Sequence, residues 1–395
     1  MKRLLTLILC LLLLLLPALA CALTTEEIDW QVDDYFKKSR TVGGALIVIS
    51  AGATVYEHYY GQRDSALELP VTEDTYFRLA SVTKLISGIG LMQLYEQGMV
   101  DLDEDISDYF GYEIANAYYP DIPITLRQLM SHTSTLSTNG GYGTAKPIYE
   151  MLAKELKRPQ NFTKNEPGSV YAYSNFGAGV VGAIMESVTG MSVNRYMTEN
   201  VFEPLGLDAS YDPAALGDTG NLPNIYDSDG SRYRSVAYML GEGYEDFADP
   251  ENHYRTTVGG LWIRARDLAK LAVALCGDGE VDGVRLLTPE SISLMRDDQA
   301  SFGTSVTAES PYGLFTNREE TLIEGHTFYG HQGMFGGILC NVYFEPETQF
   351  CFILLTNGCN NVLQNHVGVL TRRQFVYAYD TFVNGDGASD PWLVQ

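Results

Sequence analysis

One short stretch of the sequence combines a nucleophile with a base. Ser81 and Lys84 form the only Ser-x-x-Lys of the chain, where a short β-like run meets an amphipathic segment. A spacing of three places both side chains on one face at the start of a helix, one turn apart. A serine hydroxyl needs a base to become a nucleophile, and a lysine with a lowered pKa can serve. Unpaired N–H groups at the helix start would stabilise an anion. The pair predicts a nucleophilic site, although a capping serine followed by a solvated lysine is the commoner use of this pattern.

Two further motifs follow at a distance. Tyr173-Ser174-Asn175 contains the only Tyr-x-Asn of the chain and opens a predicted helix, and His331-Gln332-Gly333 precedes a predicted strand. A second His-x-Gly begins at His366, inside a predicted C-terminal helix, where a close approach of backbone to substrate is not expected. We therefore assign no role to His366.

The elements that must position these motifs follow from apolar periodicity and from Gly, Pro and capping residues. Helices are predicted over residues 30–39, 82–97, 125–131, 147–156, 176–189, 192–202, 265–275, 289–295 and 363–383. Strand-like runs cover residues 45–50, 54–60, 311–315, 327–330, 337–344 and 349–356, and residues 208–255 are loop-like. Strands at both ends of the chain and helices between them predict an α/β (α+β) fold. In that fold an antiparallel sheet packs against terminal helices and carries an inserted all-helical domain.

Composition and the N-terminus restrict the partners and the location. The 395 residues include 26 Lys and Arg against 50 Asp and Glu, a net charge of −24, which disfavours nucleic acid as a partner. Residues 1–22 combine a basic start, a short apolar run and small residues, which is typical of a signal peptide. Cys21 is also compatible with lipid attachment, the only contact with a membrane that we expect. No later segment is long and apolar enough to span a bilayer.

The cysteines leave two alternatives open. Cys340 and Cys351 lie near opposite each other on a predicted hairpin, so they could form a disulfide or remain two buried thiols. The chain contains no Cys-x-x-C pair, and neither a metal nor an organic cofactor is expected.

Taken together, the motifs resemble the serine β-lactamase and penicillin-binding protein superfamily. The nearest resemblance is to class C β-lactamases, D-Ala-D-Ala carboxypeptidases and related esterases. It extends from about residue 30 to residue 383. Beside the three motifs, it rests on the flanking stretches Leu129-Met-Ser-His-Thr-Ser134, Gly168-Ser-Val-Tyr-Ala-Tyr-Ser-Asn175, Gly259-Gly-Leu-Trp262 and Tyr329-Gly-His-Gln-Gly333.

The resemblance implies a role for each site residue. Ser81 would form an acyl-enzyme, with Lys84 or a Tyr173 phenolate as the base, a choice that the sequence leaves open. Asn175 would hold Lys84 and the substrate amide by hydrogen bonds. In the third motif, a charged His331 would bind a substrate carboxylate or assist proton movement, and Gln332 would contact the substrate. Gly333 would let the substrate approach the strand backbone. The N–H of Met334, the next residue, would share the oxyanion hole with Ser81 N–H.

The third motif departs from the usual pattern. Many relatives carry Lys where this chain has His331, and Thr or Ser where it has Gln332. We therefore hypothesise weak or absent turnover of β-lactams. D-amino-acid peptides, β-lactams or small esters, including peptidoglycan-derived ones, are the expected substrates of an exported serine hydrolase. The alternative is a non-catalytic sensor that binds penicillin or peptidoglycan fragments.

The resemblance also divides the chain. Residues 1–22 are the signal peptide, residues 24–384 the catalytic domain and residues 385–395 a C-terminal tail. Within the catalytic domain we expect an α/β part formed by residues 24–75 and 256–384. Residues 76–255 would form the helical insertion.

Overall fold

A computed structural model describes residues 23–138, 143, 146–299 and 312–385. The strands are β1 Gly43–Ser50, β2 Ala53–Asp64, β3 Leu69–Pro70, β4 Tyr76–Arg78, β5 Ala209–Ser210, β6 Ile225–Tyr226, β7 Arg232–Arg234, β8 Trp262–Arg264, β9 Glu280–Val281, β10 Val284–Arg285, β11 Asn317–Glu319, β12 Phe328–Phe335, β13 Ile338–Glu345, β14 Phe350–Gly358, β15 Leu363–Gln364 and β16 Val367–Gly368. The α-helices are α1 Thr25–Lys38, α2 Val82–Glu96, α3 Leu126–Met130, α4 Ile148–Leu152, α5 Asn175–Thr189, α6 Val193–Met197, α7 Val236–Gly241, α8 Thr256–Gly259, α9 Ala265–Cys276, α10 Pro289–Arg296 and α11 Val369–Tyr379.

The main sheet has seven strands in the order β11-β12-β13-β14-β1-β2-β3, and its neighbours are antiparallel. Strands from the two ends of the chain meet where β1 pairs with β14, Ile47 opposite Ile353. The central strands β13 and β14 are buried along their whole length. Such strands read as continuous apolar runs because both faces of the sheet are covered. The mixed α/β architecture with an antiparallel sheet confirms the predicted fold class.

The two faces of the sheet belong to two cores. In β1, Leu46 and Val48 pack with α1 and α11, whereas Ala45, Ile47 and Ile49 pack with the helices of the central region. This alternation is the period of two that a strand imposes on its side chains. Helix α2 lies within the core that contains Ala45, Ile47 and Ile49, and it is buried along nearly all of its length.

Several sequence predictions differ from the structure at the C-terminal end. Residues 363–383 were expected to form one helix, but the stretch begins with the hairpin β15–β16, and the α-helix starts only at Val369. Asn365 and His366 have positive φ values of 48° and 64°, the geometry of a tight two-residue hairpin turn. The apolar period of α11 continues through the hairpin, which made the two elements look like one.

The strand that carries the third motif is also longer than predicted. Residues 327–330 were expected to end before His331, whereas β12 runs from Phe328 to Phe335 and contains the whole motif. Beside β13, β12 pairs with Asn317–Glu319, and the described residues of the predicted run 311–315 form only an isolated bridge at Tyr312. The predicted signal peptide with Cys21, and residues 386–395 of the predicted tail, lie outside the described residues.

The predicted opposition of Cys340 and Cys351 is wrong. In the register of β13 and β14, Phe344 stands opposite Cys351, and Asn341 stands opposite Leu354. Cys340 is therefore about four residues away along the ladder, too far for a disulfide. Cys276, Cys340, Cys351 and Cys359 are buried free thiols.

The described helices fall short of a membrane span. No single one of them has both the length and the apolar composition to cross a bilayer. Asn175–Thr189 and Val193–Leu205 pass the test only as a pair, and that pair is bent by 79°.

Candidate active site

Ser81 and Lys84 meet at the start of α2. Lys84 Nζ lies 3.1 Å from Ser81 Oγ and donates to the carbonyl of Val258 at 2.8 Å. Ser81 is the N-cap residue, yet its side chain makes no capping bond. Lys84 is fully buried, and desolvation lowers the pKa of its amine to about 7. Ser81 therefore does not cap the helix with its side chain, and Lys84 is not solvated, so the commoner use of this pattern does not apply here.

The helix start offers an anion fewer unpaired N–H groups than the motif alone led us to expect. The N–H groups of Val82, Thr83 and Lys84 are bonded to carbonyls of residues 79–81, so they are not free. Among the hydrogen bonds of the described residues, none uses the N–H of Ser81. At the helix start, Ser81 N–H is thus the backbone donor that remains available to an anion.

Met334 supplies a second donor from the sheet. The N–H of Leu339, opposite Met334, donates to the hydroxyl of Thr356, and its carbonyl accepts from the same hydroxyl. Leu339 therefore directs both backbone groups away from β12, which makes Met334–Leu339 a non-hydrogen-bonded pair. The N–H of Met334 consequently points to the free edge of β12, because β11 covers that edge only as far as Gly330.

Gly333 allows the sheet to approach the nucleophile. A Cβ at this position would lie 2.3 Å from the carbonyl oxygen of Leu79 and 2.8 Å from Ser81 N. Only a residue without a side chain fits between the strand and the Ser81 segment. The close contact places the free edge of β12 beside the start of α2.

Tyr173 and His132 stand together beside the lysine. The ring centroid of Tyr173 lies 5.2 Å from Lys84 Nζ, and the ring is 40% exposed. The His132 ring is 4.3 Å from it. His132 Nδ1 accepts from Ser174 N at 3.2 Å, and its carbonyl accepts from Ala172 N at 2.8 Å. His132 thus holds the backbone on both sides of Tyr173.

His331 does not match the expected charged group. It is buried in β12, and its Nδ1 lies 2.6 Å from the carbonyl of Gln332. Burial, and secondarily the charge of Lys84, lower its pKa to about 3. Burial therefore favours the neutral imidazole near pH 7, whereas the role expected from the motif needs the charged form.

Gln332 and Asn175 also differ from their expected roles. The Gln332 side chain donates to the carbonyl of His366 at 3.1 Å and accepts from Gly368 N at 2.9 Å. Both ends of the amide are occupied by the β15–β16 hairpin, so Gln332 positions that hairpin instead of offering a free contact to substrate. Asn175 lies at the start of α5, but its Oδ1 is buried without a partner, and the bond to Lys84 is replaced by the Val258 carbonyl.

Sequence reasoning missed three contributors. His132 lay within a quoted stretch but was given no role, Val258 acts through its carbonyl alone, and His366 was assigned to a helix. In the sequence, the adjacent Gly259-Gly260 pair could have indicated a turn at Val258, and the asparagine before His366 could have indicated a turn there.

Of these residues, Tyr173, His331, Gln332 and His366 line a cleft of about 570 Å³. It is lined by Tyr171, Tyr173, Tyr312, Asn317, Glu319, Thr321, His331, Gln332, Tyr343, Leu363, Asn365 and His366. A volume of this size accommodates a small peptide or drug-sized molecule.

The fold and this grouping define the class: an antiparallel sheet whose free edge faces a serine and a buried lysine at a helix start. Comparison with known proteins specifies it, because the Beta-lactamase family profile matches residues 29–366. The chain belongs to this family.

Relatives and solved structures agree with that assignment. Penicillin-binding protein 4 of Amycolatopsis lactamdurans is 26% identical over 84% of this chain and 86% of its own length. The D-alanyl-D-alanine-carboxypeptidase/endopeptidase AmpH of Escherichia coli K12 is 30% identical over 48% of this chain and 50% of its own. The octameric penicillin-binding protein homologue from Pyrococcus abyssi superposes with a TM-score of 0.71 at 20% identity, covering 93% of this chain and 79% of its own. The D-amino acid amidase of Ochrobactrum anthropi SV3 gives 0.66 at 21%, covering 91% and 98%.

Proposed function

We propose that this protein is an exported serine hydrolase that acts through an acyl-enzyme on Ser81. The observation that carries the proposal is the 3.1 Å separation of Ser81 Oγ from a fully buried Lys84 amine. Desolvation brings the pKa of that amine to about 7, so that a large fraction is the free base at neutral pH. A neutral amine at hydrogen-bond distance is able to take the serine proton.

The remaining groups fit the later steps. Ser81 Oγ would attack the substrate carbonyl, while the N–H groups of Ser81 and Met334 stabilise the oxyanion. Lys84, or Tyr173 beside it, would return the proton to the leaving group. Water would then release the acyl group by the same route in reverse. The proposed substrates are compounds with a peptide bond to a D-amino acid, and small esters. The names of AmpH, a D-alanyl-D-alanine-carboxypeptidase/endopeptidase, and of the D-amino acid amidase state related activities for those proteins.

A labelling experiment tests the nucleophile. The protein, its Ser81→Ala variant and a surface control, Ser293→Ala on α10, are incubated separately with a fluorophosphonate probe and with benzylpenicillin, and intact masses are measured. We expect one phosphonyl adduct on wild type and control, mapped to Ser81, and none on Ser81→Ala. Equal labelling of Ser81→Ala would refute the proposal. A penicillin adduct on Ser81 that persists for hours, without turnover of any D-alanyl ester, would instead favour the sensor alternative.

A further inference from the structure

The far end of the cleft contains a buried carboxylate. Glu319, on β11, lines the same cleft as Tyr173 and His331 and is only 3% exposed. A charged carboxylate removed from water is costly unless a cation or several donors compensate it. Such a group in a cleft therefore calls for an explanation.

The protein compensates only part of this charge. The backbone N–H and the hydroxyl of Thr321 donate to Glu319 Oε1, at 2.6 and 2.5 Å. Among the described residues, no donor reaches the other oxygen and no cation lies within 4 Å of the carboxylate. The guanidinium of Arg372 is near enough to be influenced by Glu319, but it donates to the hydroxyl and the carbonyl of Thr321. One oxygen of a buried carboxylate is left for a ligand.

The described lining of the cleft offers an anion only uncharged donors, such as the hydroxyl of Tyr312, and the imidazole of His366. It contains no lysine or arginine, and its histidine in β12, His331, is neutral because burial lowers its pKa to about 3. Gln332 has both ends of its amide bonded to the β15–β16 hairpin. A terminal carboxylate in this cleft would meet Glu319 without a lysine or arginine of the described lining to compensate it.

We infer that this cleft receives a leaving group that carries an ammonium group and no carboxylate, and that Glu319 binds the ammonium. The inference rests on the proposed acyl-enzyme on Ser81 and names the class of substrate for that site. Binding the ammonium would place a positive charge against the free oxygen of Glu319. It would also orient the scissile bond toward Ser81, beyond Tyr173 and His331.

Three matched esters test the inference. N-acetyl-D-alanine is esterified with five-carbon alcohols that end in a methyl, an ammonium or a carboxylate group, and kcat/KM is measured for each at pH 7.5. In the reaction the ester C–O bond breaks, the serine proton leaves with the alcohol, and water hydrolyses the acyl-enzyme. We expect the ammonium ester to exceed the methyl ester about tenfold and the carboxylate ester to fall about tenfold below it.

Two neighbouring glutamates provide the matched variants. Glu319→Gln keeps an acceptor for Thr321 but removes the charge, so the preference for the ammonium ester over the methyl ester should fall to about one. Glu320→Gln removes an exposed carboxylate that pairs with Arg318 and should retain the preference. Thermal unfolding of both variants verifies that they fold.

The outcomes separate this inference from the proposed function. Hydrolysis of all three esters without preference for the ammonium, or a preference that survives Glu319→Gln, overturns the inference and leaves the Ser81 acyl-enzyme in place. Failure to hydrolyse any of the esters, together with absence of fluorophosphonate labelling at Ser81, overturns the proposed function and the inference with it.

Discussion

At the scale of single residues, burial adjusts the chemistry of Lys84. Its amine is free above about pH 7, because desolvation disfavours the charged form. We expect kcat/KM for a D-alanyl ester to rise about tenfold per pH unit below pH 7 and to level off above it, when measured from pH 5 to pH 9. His331, with a pKa of about 3, does not titrate in this range. A flat profile would show that Lys84 is not the base.

A second residue-scale prediction concerns His132, which adopts a left-handed conformation with φ of 57°. Its ring accepts from Ser174 N and contacts Tyr173, so we regard it as a positioning residue. His132→Ala should lower kcat about tenfold or more with little change in KM. His132→Asn should recover part of the loss, since asparagine tolerates this conformation and offers an acceptor.

The surface histidine His58, which contacts Asp33, provides the control for that experiment. His58→Gln should retain kcat. If His132→Ala lowers the unfolding temperature but leaves kcat unchanged, the role of His132 is structural only.

At the scale of elements, the contact between β12 and the start of α2 determines the geometry of the proposed oxyanion donors. Gly333→Ala would force a Cβ to within 2.3 Å of Leu79 O, so the strand must move away from Ser81. Displacing one donor should lower kcat about 100-fold. Gly241→Ala is the control, because nothing lies within 4 Å of a Cβ there. Equal kcat values for both variants would show that β12 supplies no donor.

The elements also show how much of the structure can be predicted from the sequence. Local signals predicted α2 and the start of α5 to within a residue or two, because capping residues and apolar periods are encoded nearby. The Val258 carbonyl on Lys84 could not be predicted, since any residue has a carbonyl and only the tertiary fold selects one. The β13–β14 register was mispredicted because both strands are buried along their whole length, so no alternation of buried and exposed residues fixes their alignment.

At the scale of the whole molecule, the site lies where the helical region meets the main sheet. Ser81 and Lys84 belong to the helical region, whereas Gly333 and Met334 belong to the sheet that joins the two ends of the chain. Neither part contains all the groups that the proposed acylation needs. The fold therefore brings the nucleophile and the strand edge together only when both parts have formed.

The net charge of the whole chain leads to the last prediction. A charge of −24 creates a negative potential that attracts cations and repels anions over distances set by the ionic strength. The Debye length falls from about 10 Å at 0.1 M salt to about 3 Å at 1 M. Over that range kcat/KM should fall several-fold for the ammonium ester and rise for the carboxylate ester. The uncharged methyl ester is the control and should change little. If all three esters respond to salt in parallel, salt acts on the enzyme itself, and the field of the protein does not contribute to the choice of substrate.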